Sequence, residues 1–251
     1  MTVENAGRFL FAAAMIGIGL QGVAWTDFAA IWQPVPADLP LRSVLLFLTI
    51  LASLGGGAGL LFPRFAPAAA RLLLISLALW LLAFRLPAIV RGPLVIDSWE
   101  NCAETAVIVA GAGAIAGFRL ARALYGVAMI VFGIAHFAYL KETAGLVPGW
   151  LPGPTLWAGG TGVAYIAAGI AILSGVLAPL AAWLSTAQMG GFTLLVWLPI
   201  LAAKGPETDF QYNETGISIV LTIAGFAVAA SYAGMPRRMM AWQSAFLGRA
   251  P

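Results

Sequence analysis

The sequence predicts an all-α polytopic membrane protein of about eight transmembrane helices, built as two four-helix repeats related by a pseudo-two-fold axis along the membrane normal. Three observations predict it. Hydrophobic residues make up 61% of the chain and charged residues only 9%, against roughly 25% charged in soluble domains. The charges segregate by sign between the apolar runs. A proline framework recurs at one fixed spacing.

Crossing a bilayer takes about 20 mostly apolar residues. Such runs lie near 9–30, 43–62, 67–90, 101–118, 120–141, 154–174, 178–202 and 214–234. The first follows a short, feebly basic start with no clean small-residue cleavage site, which reads as a retained helix. Arg71 and Arg85 fall inside the third run, near its ends, where a long side chain can snorkel to the headgroups. Residues 143–203 carry no charge and are too long for one span; the clusters Pro148, Pro152, Pro154 and Gly175, Pro179 divide them.

With both termini on one side, that side receives Arg8, Arg64, Arg71, Arg119, Arg122, Arg237, Arg238 and Arg249 against only Glu4. The other nine of ten acids fall opposite. An odd helix count would scramble this separation. The excess of arginine then places both termini in the cytoplasm, across a prokaryotic inner membrane.

Pro36 and Pro148, Pro67 and Pro179, and Pro87 and Pro199 are each 112 residues apart. Glu104-Thr105 matches Glu214-Thr215, and Ala14-Met15 matches Ala128-Met129, at nearly the same spacing. Proline recurs because each copy fixes a break or kink at one place. The repeats are 1–117 and 118–234, followed by a cytoplasmic tail over 235–251. An even number of spans in each gives both the same orientation. Gly55-Gly56-Gly57 and Gly159-Gly160-Thr161-Gly162 supply small residues for close helix packing.

Several function classes are excluded. Net charge is +3, with no basic run beyond Arg237-Arg238, so nucleic-acid binding is not expected. Cys102 is the single cysteine, which rules out a disulfide or CxxC pair within the chain; its simplest role is a small buried hydrophobe. There is no Ser-His-Asp constellation, metal-ligand spacing or nucleotide loop, so no independent catalytic activity is expected.

The residues that could carry chemistry gather toward the outer face. His136 is the only histidine, near the end of the fifth helix. An ionisable group in a membrane helix is costly and marks a candidate site. Haem or metal ligation would need a second strong ligand, so a hydrogen-bonded interfacial histidine is the favoured reading. Glu104 and Glu214 open the fourth and eighth helices, with Asn101 and Trp99 beside one, and Asn213 and Tyr212 beside the other. The simpler reading makes these acids caps that complement the helix dipole. The sharper one has them facing each other across the pseudo-axis in a pocket for protons or a cation. Trp25, Trp32, Trp99, Trp150 and Trp157 form an aromatic belt, or equally stack on a flat ring such as a quinone.

Residues 126–184 resemble the DoxX-like family of four-helix bacterial membrane proteins. The resemblance is carried by Gly133-Ile134-Ala135-His136-Phe137, Leu146-Val147-Pro148-Gly149-Trp150-Leu151-Pro152, Thr161-Gly162-Val163-Ala164-Tyr165 and Ala168-Gly169-Ile170-Ala171-Ile172-Leu173. Where the family often has glutamate, this chain has Tyr165. Residues 1–117 keep the proline framework without a histidine matching His136. Some family members are associated with quinone-linked respiratory oxidoreductases. The resemblance therefore implies an accessory subunit of such a complex, with quinone as the implied ligand and oxidoreductase subunits as partners in the lipid bilayer. A small-solute or ion transporter and a structural scaffold are the alternatives.

Overall fold

A computed structural model describes residues 2–204 and 209–233, the side chains of Lys204 and Asp209 excepted. The tail expected over 235–251, with Arg237, Arg238 and Arg249, and the outward acid Glu207 lie outside the described residues. Within them, every regular element is helical. In chain order these are α1 (Val3–Trp25), α2 (Arg42–Leu61), α3 (Ala66–Arg91), α4 (Ile96–Ile115), α5 (Ala121–Ala138), a short α6 (Leu140–Gly145), α7 (Pro154–Ser174), α8 (Ala178–Ala203) and α9 (Asp209–Ala230).

Seven of these helices, all but α4 and α6, are long and apolar enough to cross a membrane. In hydrocarbon a helix satisfies its own backbone hydrogen bonds, so such runs have little alternative to this form. Their outward faces are apolar too: Phe47, Leu51, Leu79, Leu82 and Leu194 are all exposed. The α4 helix occupies the expected fourth run but is more polar, because Asp97, Glu100, Asn101 and Glu104 fill its first half. Its second half is the most enclosed segment of the bundle, buried continuously from Thr105 to Gly113, between α3, α5 and α9.

The packing order is α1 on α2, α2 on α3 and α3 on α4, then α5 on α7, α7 on α8 and α8 on α9. Contacts of α4 with α5, of α1 with α9 and of α4 with α9 join the two sets. Both α3 and α8 contain a π-helical turn, over Leu81–Arg85 and Thr193–Trp197. Pro87 and Pro199 follow these turns and cannot donate to the carbonyl four residues back. The ladder slips by one residue at each, which widens the helix locally.

Two sequence expectations are corrected by the packing. Arg85 does not snorkel to the surface: it is 5% exposed. The π-turn aims it inward, where Nε donates to Thr105 Oγ1 at 3.1 Å and Nη2 donates to the Gln33 carbonyl. Trp32 is not part of a surface belt: it is 1% exposed. The chain after α1 turns back into the bundle, so that Phe28 through Trp32 are all buried. Local side chains satisfy this dipping backbone. Asp27 Oδ1 accepts from Phe28 N, Gln21 Oε1 accepts from Ala30 N, and Gln33 Nε2 donates to the Phe28 carbonyl. Buried loop backbone requires such partners.

Candidate functional site

The site is built on the crossing of α5 and α7. A Cβ on Gly133 would lie 2.4 Å from Ile166 Cγ1 and 2.6 Å from the Gly162 carbonyl oxygen. One on Gly162 would lie 2.9 Å from His136 Cβ. Only glycine permits this approach, and it seats His136 directly against α7.

The His136 imidazole sits between two rings, Tyr165 from α7 at 5.4 Å and edge-on, and Phe192 from α8 at 5.6 Å. Its Nδ1 is 2.8 Å from the Phe132 carbonyl. A carbonyl only accepts, so Nδ1 carries the proton and the Nε2 of the neutral ring is left as an acceptor. Nε2 is buried and has no hydrogen-bond partner among the described residues.

His136 lines a cavity of about 160 Å³. Glu100 and Glu104 enter from α4, four residues apart and therefore on one helix face. Glu214 enters from α9. Tyr165, Phe192, Phe132 and Trp197 supply aromatic wall. The Glu104 carboxylate feels the charges of Glu214, Glu100 and the buried Arg85, so three acids share one enclosure with one cation behind it. The α8 and α9 walls are held together by Thr193 Oγ1 and Ser218 Oγ, 2.7 Å apart. Tyr139, just beyond α5, donates to the Asp97 carboxylate. That hydrogen bond, more than burial or the charges of Asp97 and Glu100, pushes its phenol up to about 12.

Of the eight residues singled out from the sequence, His136, Glu104 and Glu214 line this one cavity. The other five do not. Trp150 is 70% exposed in the turn after α6. Trp99 and Tyr212 are also exposed, and the Trp99 indole donates to the Pro93 carbonyl. Asn101 donates to the Asp97 carbonyl one turn earlier. Asn213 donates to Gln33 Oε1 at 3.3 Å, bridging α9 to the dipping segment. Cys102 is half-buried.

The capping reading of the two acids is corrected. The α4 helix begins at Ile96 and α9 at Asp209, so Glu104 and Glu214 lie beyond the first turn, where backbone N–H groups are already bonded. The sequence reading missed Glu100, Phe192 and Trp197, and marked Tyr165 only as a departure from the family pattern. Glu100 was discoverable, since it precedes Glu104 by four residues.

Chemically, the lining is rich in polar groups able to accept, the His136 imidazole and three carboxyl groups, set among aromatic side chains. An apolar cavity of about 150 Å³ is large enough for one six-membered aromatic ring, and this one has that size. The chain matches no protein-family model, no curated protein and no solved structure.

Proposed function

We propose that this chain is a two-repeat, DoxX-like protein of the prokaryotic inner membrane that binds the ring of a quinol and serves as an accessory subunit of a membrane oxidoreductase. In this reading α4 is the eighth span, both termini are cytoplasmic and the cavity opens outward. The repeat is supported by the spacing of equivalent elements. Arg42 and Pro154, Ala66 and Ala178, and Leu81 and Thr193 each begin corresponding helices or π-turns 112 residues apart. The turn bonds Leu39 N to Pro36 O and Leu151 N to Pro148 O recur at the same spacing.

The observation that carries the function is His136, whose buried Nε2 has no hydrogen-bond partner among the described residues, lining a ring-sized cavity together with Glu104 and Glu214. A quinol presents two O–H donors at opposite ends of a flat ring. Nε2 and a carboxyl oxygen would accept them, and Phe132, Phe192 and Trp197 would supply aromatic wall beside the ring. The same groups would hold the released protons while electrons pass to a redox centre of the partner.

The test is binding of a tailless benzohydroquinone to the detergent-purified protein. Wild type binds, and His136→Ala and Glu104→Gln each weaken binding by roughly fivefold to tenfold, the worth of one hydrogen bond. Wild-type protein that binds no quinol, or variants that bind it unchanged, refute the reading. A second reading, a cation-coupled transporter, is favoured by the three carboxylates in one enclosure. It requires flux in proteoliposomes that Glu104→Gln abolishes.

A further inference from the structure

A second cavity of about 200 Å³ adjoins the first and differs from it sharply in chemistry. Its wall includes Val147, Leu151, Trp157, Leu195 and Val196, with Gly191 beside them. Among the described residues no ionisable side chain lines it. Thr143, Leu146 and Phe192 belong to both cavities, so Phe192 is at once the ring-flanking wall of the polar chamber and a wall of the apolar one. A polar chamber of one ring's size, sharing these three residues with an apolar chamber of similar size, matches a molecule with a hydrogen-bonding head and a hydrocarbon tail.

We infer that the second cavity holds the proximal part of a prenyl tail whose quinol ring occupies the polar chamber; this rests on the ring-binding reading above. The charge pattern selects this tailed molecule over the membrane's own lipids. A phosphate or a fatty-acid carboxylate would add negative charge to an enclosure of three acidic side chains, whereas a neutral ring with two O–H donors adds none and finds acceptors among the carboxyl oxygens. The tail exits toward lipid past Trp157 and Leu195, which are half-exposed on the outer surface of α7 and α8. The ligand therefore enters sideways from the bilayer, and tail length contributes to selection.

The experiment compares a tailless benzohydroquinone with the same ring carrying a decyl chain, on wild type, Gly191→Leu and Leu151→Trp. A Cβ on Gly191 meets nothing within 4 Å, so its replacement folds, as circular dichroism and gel filtration verify. In wild type the decyl compound binds on the order of tenfold tighter, the equivalent of about 1.4 kcal/mol. Both variants erase that preference and leave tailless binding unchanged. A tail preference that survives both variants overturns the inference while leaving the ring-binding reading intact. Equal loss of both compounds overturns it as well, because the second cavity would then act on the head. Failure of both compounds to bind wild type refutes the ring-binding reading itself.

Discussion

The Trp32 indole donates to Ser53 Oγ at 3.3 Å in the interior between α1 and α2. Ser53 stands 112 residues before Tyr165, and Trp80, which packs edge-on to Trp32 at 5.2 Å, stands 112 before Phe192. The positions that wall the ring-sized cavity in one place thus belong, in the other, to a filled aromatic cluster of Phe28, Trp32, Trp80 and Phe84. Trp32→Ala is expected to cost about 3–5 kcal/mol and to open a further cavity at the aromatic cluster. Thermal unfolding in detergent measures the loss, and added benzene restores part of it by filling the void. A variant as stable as wild type contradicts the filling role.

Arg85 bridges α3, α4 and the dipping segment through Thr105 and the Gln33 carbonyl. Arg85→Met strands that carbonyl and removes the cation nearest Glu104, so a destabilisation of about 3 kcal/mol is expected. Arg85→Lys restores the charge without the planar fork and recovers only part of it. Parallel denaturant titrations of the two variants decide the matter. Equal loss in both would assign the role to geometry alone.

The glycine pair at the α5 and α7 crossing makes a contrast with neighbouring glycines. Gly133→Val forces the backbones apart and should cost about 1–3 kcal/mol, moving His136 with them. Gly160→Ala, whose added Cβ meets nothing within 4 Å, should leave stability and ring binding unaltered. Should both variants melt alike, close approach at Gly133 is not what holds the crossing.

Tyr139 gives a pH dependence with a definite sign. Its phenol is pushed up to about 12 from an ordinary 10.0 by donating to Asp97. Neutral phenol is favoured in the folded state, so this contribution is complete below pH 10 and fades as pH rises through about 12. Absorbance titration of phenolate should find an upward-shifted component that returns toward the ordinary value in Asp97→Asn and is missing in Tyr139→Phe. An unchanged titration in Asp97→Asn would sever the link.

The helices were legible because an apolar run of bilayer length has one economical way to satisfy its backbone, and the prolines marked the π-turns because a missing N–H acts locally. The two acids were found but misplaced. A drop in hydropathy at Trp99 through Glu104 reads as a helix boundary, yet α4 runs straight through it, with Glu100 and Glu104 facing a cavity instead of lipid. Arg85 and Trp32 read as surface residues for a related reason: proximity to a helix end says nothing about which way a side chain points.

By itself, then, the sequence determined that the chain is helical, where its apolar helices run, which breaks recur, and that His136, Glu104 and Glu214 are its unusual groups. Only the tertiary structure decided that these three share one enclosure with Glu100, Tyr165 and Phe192. Their meeting depends on the packing of α4 against α5 and against α9, which is distant in the chain, while the close approach of Gly133 and Gly162 sets His136 against Tyr165. The run of apolar residues encodes each helix separately, but which faces meet is a property of the packed bundle.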